Sequence, residues 1–283
     1  MKLAVIVLNY NDYETTKDFL GYAKEFKIID KIIVVDNAST DYSLKQLEKM
    51  KNEKIDVISA KENRGYASGN NEGILYALKK YRPEYLLISN PDIIFEEDII
   101  NEMICFLEQS NEKVGLVSGR MLDREGKQAK GSWKIKKKRD CILGNIIVPK
   151  RVKRKSDYSE SYFKGKVSRV DVIAGAFFMV KSLVMEDVSF FDNRTFLYWE
   201  EDILAYKLKE KGYENYILNE KTFVHNHSVS INKNVKSVEK RLDLAEESKK
   251  IYMKEYLKAG RFVMILDRVT YYMGKKVYAL FKR

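Results

Sequence analysis

Through the first half of the chain, uninterrupted apolar runs alternate with stretches of mixed polarity. Leu3 to Leu8 predicts a buried strand, and Asp12 to Glu25 a helix. Lys31 to Asp36 contains Ile32-Ile33-Val34-Val35 and predicts a second buried strand. The alternation continues with a helix over Ser43 to Met50, a strand over Ile55 to Ser59, a helix over Asn70 to Lys80, a strand over Tyr85 to Ser89 and a helix over Glu97 to Glu108. This order implies βαβ units, hence an α/β fold with a mostly parallel central sheet flanked by helices. Right-handed crossovers then gather the strand ends on one edge.

The second half is less regular. Val114 to Ser118 predicts another strand, and ordered structure returns at Val170 to Val180. Between them, residues 123–169 are polar, basic and rich in turns, too long for a plain connector, which predicts an insertion carrying specificity or mobility. Ile203 to Lys211 predicts a helix stopped by Gly212. Val235 to Lys258 and Phe262 to Phe281 predict two C-terminal helices, so the chain divides into a catalytic-type domain over 1–230 and a basic, amphipathic helical extension over 231–283.

Composition narrows the class. The chain is 45% hydrophobic and 33% charged over 283 residues, enough to build a sizeable core. Its two cysteines, Cys105 and Cys141, match no zinc spacing and no disulfide framework, which fits a reducing compartment. Asn9 and Asn11 end the first apolar run with no cleavage site after it, so no secretory leader is expected and a cytoplasmic location follows, with peripheral attachment to the inner face of the membrane as an option. The net charge of +11 favours an acidic partner: a phosphorylated substrate, an anionic membrane or nucleic acid. The charge concentrates between Lys134 and Lys155, including Arg151, Lys153, Arg154 and Lys155, and again beyond Lys233.

Chemistry-bearing residues cluster where strands end. Asn9-Tyr10-Asn11 follows the first strand and Asp36-Asn37-Ala38-Ser39-Thr40-Asp41 the second, where α/β sheets place nucleotides. The same residue types also build ordinary turns and caps. Glu62 to Gly73 is dense in glycine and asparagine: Gly65 and Gly69 allow close backbone approach to a ligand, and Asn70 or Asn71 is placed to cap the next helix, whose N-terminus favours diphosphate. Asn90-Pro91-Asp92 offers an amide and a carboxylate that can serve a hard divalent cation, and His225 ends an apolar stretch from which it can complete such a site. His227 is the second of two histidines. Glu200-Glu201-Asp202 follows Phe196-Leu197-Tyr198-Trp199 and offers a general base, or merely favourable charge at a helix start. No Gly-x-Gly-x-x-Gly and no Walker lysine motif follows the strands.

Taken in order, Val-Leu-Asn-Tyr-Asn, Val-Val-Asp-Asn-Ala-Ser-Thr-Asp, Asn-Arg-Gly-Tyr-Ala-Ser-Gly-Asn-Asn, Ser-Asn-Pro-Asp, Ala-Gly-Ala-Phe-Phe-Met-Val and Phe-Leu-Tyr-Trp-Glu-Glu-Asp resemble a family 2 glycosyltransferase of the rhamnosyltransferase-like group, across roughly residues 3–228. The resemblance implies a GT-A fold and inverting transfer from a nucleotide-diphosphate sugar, UDP- or dTDP-linked, assisted by Mn²⁺ or Mg²⁺. It implies that Asp36 contacts base and ribose, with Asn9, Tyr10, Asn37, Asn63, Gly65, Gly69, Asn70 and Asn90 around the nucleotide sugar. It implies that Asp92 ends the family's metal-binding Asp-x-Asp, whose first aspartate is here Asn90, and that His225 joins the metal or diphosphate. The catalytic base falls on Glu201 by register from Phe196-Leu197-Tyr198 and on Asp202 by residue identity, with Glu200 beside them.

The resemblance also implies a glycan or lipid-linked acceptor in bacterial surface-polysaccharide synthesis, with the basic insertion at 123–169 on the acceptor side. The C-terminal helices suit either an anionic bilayer or packing on the domain or on a second subunit as a homodimer. Two rivals remain: a nucleotide-sugar-binding protein without turnover, and a nucleic-acid-binding α/β protein that would leave the carboxylate clusters idle. The reading taken is an enzyme with no nucleic-acid partner.

Overall fold

The computed structural model describes residues 1–110, 113–145, 157–226 and 237–281. The first half runs β1 (Leu3–Asn9), α1 (Tyr13–Ala23), β2 (Lys31–Asp36), α2 (Ser43–Glu48), β3 (Ile55–Ser59), α3 (Tyr66–Lys80), β4 (Tyr85–Ser89), β5 (Ile93–Ile94) and α4 (Glu97–Gln109). Then come β6 (Val114–Leu122), β7 (Ser132–Trp133), α5 (Lys138–Gly144), β8 (Val167–Val170), β9 (Val172–Ile173), β10 (Phe177–Lys181), α6 (Ser182–Asp187), α7 (Glu200–Glu210), β11 (Glu214–His225), α8 (Val238–Ile251) and α9 (Arg261–Phe281).

Among the described residues nine strands form one sheet in the order β3-β2-β1-β4-β10-β6-β11-β5, with β8 paired to β11. β1, β2, β3 and β4 are mutually parallel, as the βαβ alternation requires. The orientation changes beyond them: β10 runs antiparallel to both β4 and β6, while β11 is parallel to β6.

Burial explains the uninterrupted apolar runs. Leu3, Val5 and Val7 of β1 enter a core shared with α1 and α4, whereas Ala4 and Ile6 enter a second core under α3 and α6. A strand covered on both faces needs apolar residues at every position. A third, smaller cluster joins Cys141 of α5 and Ile203 of α7 to Tyr252 and Met253 beyond α8. The C-terminal extension is therefore packed on the α/β domain, and the boundary drawn at residue 230 lies outside the described residues.

Three local expectations change. α3 begins at Tyr66, one turn before the predicted start, because Gly65 is its N-cap with φ 94° and the Tyr66 N–H bonds the Phe196 carbonyl at 2.9 Å. Asn70 and Asn71 consequently sit inside the helix and cap nothing. α7 begins at Glu200, so all three acids lie in its first turn, and it ends as predicted: Gly212 has φ 78°, with Tyr213 and Gly212 N–H groups returning to Leu208 and Lys209 carbonyls. Finally, the predicted helix to Lys258 gives way after Ile251 to a π-helical turn over Tyr252–Tyr256. That turn brings both Tyr252 and Met253 into the third cluster.

Candidate active site

Asn9 and Asp36 are register partners at the ends of β1 and β2, and Ser89 pairs Val7 at the end of β4. The loops after these three parallel strands therefore open on one sheet edge. Phe177, the first residue of antiparallel β10, pairs Ser89, so Gly175 and Ala176 arrive at the same edge from the other direction. The Asn90 N–H bonds the Ala176 carbonyl at 2.8 Å and joins the two approaches.

The first two loops are locked together. Asn9 is buried and donates from Nδ2 to Asp36 Oδ2 at 2.9 Å, while accepting from Thr16 Oγ1 at 2.8 Å. Asp36 Oδ1 accepts the Ser39 N–H at 2.9 Å. The turn reading of these residues is thus part of the structure, and Asp36 holds the loop's shape from a fully buried position. Asn37 donates to Asn63 Oδ1 at 3.1 Å, and its Oδ1 is buried with no hydrogen-bond partner among the described residues. Asn63 in turn accepts the Gly65 N–H at 2.9 Å. Tyr10, Asn63 and Asn90 are the partly exposed members of the predicted donor set.

The glycines of this region serve contacts within the protein. A β-carbon on Gly69 would stand 2.4 Å from Leu8 Cδ1, so a larger residue there would force the Leu8 side chain to move. Asn70 donates to the Tyr66 carbonyl at 3.0 Å, and Asn71 bonds the Phe191 backbone through both its donor and its acceptor. The expected capping by Asn70 or Asn71 is therefore replaced by bonding from inside the helix.

Asp92 and His225 converge from opposite ends of the sequence. β5 pairs antiparallel with the end of β11, which sets His225 opposite Ile93 and brings Nε2 to 3.3 Å from Asp92 Oδ1. Both side chains are largely buried. Among the described residues no group of three His, Cys, Asp or Glu side chains could hold a metal ion. One carboxylate and one imidazole suit a borderline divalent ion that takes its other ligands from phosphate and water. His227 lies outside the described residues, as do Arg151, Lys153, Arg154, Lys155 and Lys233.

The acid cluster divides into three environments. Tyr198 and Trp199 carry φ 69° and φ 70°, two consecutive left-handed residues that aim the first turn of α7. Such conformations are disfavoured for non-glycine residues and are held by their surroundings. Here the Ser248 hydroxyl bonds the Leu197 carbonyl at 3.0 Å, and the Trp199 ring lies 5.4 Å from that of Tyr252. Glu200 is buried, its Oε1 has no partner among the described residues, and burial followed by the Glu201 charge raises its carboxyl well above the ordinary glutamate range. Asp202 is fully engaged: Trp133 Nε1 donates to one oxygen at 3.2 Å and Lys136 Nζ to the other at 2.6 Å. Glu201 is half-buried, with Oε1 accepting the Gly175 N–H at 3.2 Å, and burial raises its carboxyl while Lys136 tempers the shift.

Tyr66 ties these parts together. Its hydroxyl donates to the Gly175 carbonyl at 2.6 Å, so Gly175 bridges Tyr66 and Glu201 through its two backbone groups. Burial raises the Tyr66 hydroxyl's pKa well above the ordinary range, and the charges of Glu201, Glu200 and Asp92 add to it. Those carboxylates come from the two acidic clusters that lie about a hundred residues apart in sequence. Tyr66, Gly175, Trp133 and Lys136 had no assigned role in the sequence: Tyr66 and Gly175 stand inside quoted motifs, while Lys136 reads as one more member of a solvated basic block.

The model of Glycosyl transferase family 2 matches residues 4–183, and the chain belongs to that family. Among curated relatives it is similar to the low-salt glycan biosynthesis hexosyltransferase Agl10 of Haloferax volcanii, 25% identical over 74% of this chain and 62% of the relative. It is also similar to the rhamnosyltransferase WbbL of Escherichia coli K12, 28% identical over 52% of this chain and 55% of the relative. The chain thus spans little more than half the length of these relatives. Two solved structures share its fold: Staphylococcus aureus TarS 1–349 in complex with UDP-GlcNAc, with TM-score 0.61, 14% identity and coverage of 89% of this chain and 67% of that one, and the mannosyltransferase PcManGT of Pyrobaculum calidifontis in complex with GDP-Man and Mn²⁺, with TM-score 0.57, 16% identity and coverage of 99% and 74%. The fold is GT-A, as the resemblance implied.

Proposed function

We propose that this chain is an inverting glycosyltransferase that moves a sugar from a nucleotide-diphosphate donor to a hydroxyl of a glycan or lipid-linked acceptor in surface-polysaccharide synthesis. The observation that carries the reading is the placement of Glu201. It is the acid of its cluster that is neither enclosed like Glu200 nor paired like Asp202, and the Gly175 N–H orients it at the sheet edge where the donor loops end. A carboxyl with a raised pKa is suited to take a proton near neutral pH.

In this reading Glu201 takes the proton of the acceptor hydroxyl. That oxygen attacks the anomeric carbon opposite the diphosphate, the glycosidic bond to the leaving oxygen breaks, and the nucleoside diphosphate departs with its electron pair. Asn9, Asp36, Asn37 and Asn63 shape the nucleotide loops, with Tyr10 and Asn90 at their exposed side. Asp92 and His225 would hold a divalent cation, Mn²⁺ or Mg²⁺, which supplies charge neutralisation at the diphosphate when bound. The fold neighbours bound to UDP-GlcNAc and to GDP-Man with Mn²⁺ support a nucleotide-sugar donor and a cation without choosing the sugar.

The test incubates the protein with Mn²⁺ or Mg²⁺, a panel of UDP-, dTDP- and GDP-sugars and a membrane lipid extract, and follows nucleoside diphosphate release. Turnover with one donor, lost in Asp92→Ala and Glu201→Gln and giving a product of inverted anomeric configuration, is expected. Nucleotide binding without release from any donor and acceptor combination would instead favour a binding protein.

A further inference from the structure

The last helix carries apolar side chains on both faces. Inward, α9 packs Val263 and Met264 on the third cluster and adds polar contacts: Asp267 is fully buried against Lys249 at 2.8 Å and accepts from Asn145 at 2.9 Å, and Lys275 pairs Asp243 at 2.6 Å. A β-carbon on Gly274 would stand 1.9 Å from the Asn145 carbonyl oxygen, so the helix backbone lies directly on the end of α5. This seating leaves the opposite face in solvent. Phe262, Ile265, Val269, Tyr272, Met273 and Val277 lie on it, with Phe262 79% and Met273 62% exposed. Contiguous apolar surface of this kind on a folded protein marks an interaction site.

The charges select its occupant. Arg261 and Arg268 line one edge of the apolar face and Lys276 lies within it, all three exposed, and the Arg268 guanidinium sits over the Tyr272 ring. The one acid of the helix, Asp267, points inward. A second copy docked face to face would bring these cations against one another with no acid to answer them. An anionic bilayer answers them with phosphates and takes up the apolar side chains beneath. No described helix is long and apolar enough to cross a membrane, so the geometry is that of a helix lying in the headgroup plane.

We infer that the outward face of α9 is a docking surface for an anionic lipid bilayer. α8 and the turn after it, which brace Leu197 and Trp199, lie between this helix and the element that aims the acid cluster. The inference does not depend on the donor or on turnover.

The experiment is vesicle flotation of the full chain without nucleotide, using phosphatidylglycerol–phosphatidylcholine vesicles and phosphatidylcholine vesicles alone. Binding is expected to the anionic vesicles, falling with salt. Arg268→Glu with Lys276→Glu should weaken it by more than the roughly fivefold that each neutralised cation costs, and Phe262→Ser with Met273→Ser should weaken it at least ~10-fold. All four side chains are exposed, so unchanged circular dichroism and thermal midpoint would confirm folded variants. No binding to anionic vesicles, or equal binding to both kinds, would overturn the inference. So would a dimer in analytical ultracentrifugation that Phe262→Ser with Met273→Ser dissociates while vesicles are ignored, which would give the face to a second copy.

Discussion

Gly65 lies so close to Phe196 that a β-carbon at position 65 would stand 1.9 Å from the Phe196 carbonyl oxygen. The neighbouring Tyr66 N–H bonds that same oxygen, so the start of α3 and the loop that leads into α7 are one assembly. The loop that carries Asn63 and the acid cluster are held in register by backbone.

Gly65→Ala is therefore expected to do more than relax a turn. It adds a left-handed alanine to a backbone clash, and about 2 kcal/mol or more of stability should be lost. Urea unfolding measures that loss. Nucleotide affinity should fall with it, because Asn63 is anchored to the same loop.

Glu201 and Asp202 should separate cleanly by substitution. Glu201→Gln keeps the shape and the Gly175 contact and is expected to lower turnover by ~10²–10⁴ while donor affinity stays within about threefold. Asp202→Asn removes the charge opposite Lys136 and leaves one acceptor for the two donors Trp133 and Lys136; Lys136 is 22% exposed and can turn partly to solvent, so a stability loss of about 1–2 kcal/mol and a smaller loss of turnover are expected. Full loss in Asp202→Asn with activity retained in Glu201→Gln would move the base to Asp202.

Glu200 makes stability depend on pH in a definite direction. Its folded pKa is raised by burial, so the folded chain keeps a proton that the unfolded chain releases. This contribution is complete below the unfolded glutamate range and is lost as pH rises through the folded pKa. Glu200→Gln removes it: the variant should be more stable than the parent at about pH 8 and nearly equal at about pH 4, as compared by denaturant unfolding at both values. Glu201 shifts the same way, so turnover should rise with pH along an acid limb above the ordinary glutamate range.

Asp92 and His225 are expected to make nucleotide binding depend on the cation. Calorimetric titration of UDP or dTDP should show an affinity at least ~10-fold higher with Mn²⁺ than with chelator. Asp92→Ala and His225→Ala should each abolish the difference. An unchanged Mn²⁺ effect in both variants would place the cation elsewhere.

What the sequence alone determined is the part governed by local pattern. The strands Leu3–Asn9 and Tyr85–Ser89 fall where their apolar runs fall, because a strand buried on both faces must be apolar along its length. Gly212 ends α7 because only a left-handed residue closes that helix end well. Asn9, Asp36 and Asp92 share one edge because parallel strands carry their C-terminal ends to the same side. The tertiary structure decided what depends on partners remote in the chain. Which of Glu200, Glu201 and Asp202 is paired and which accepts a backbone N–H follows from Lys136, Trp133 and Gly175, whose distances from them in sequence carry no periodic signal. Asn70 lost its capping role because the Phe196 carbonyl captured the Tyr66 N–H and started the helix early. For α9 the sequence left a bilayer and packing on the domain as alternatives, because its amphipathic pattern is the same whichever face is buried; Lys249, Asn145 and Asp243, which claim Asp267 and Lys275, set the side that turns inward.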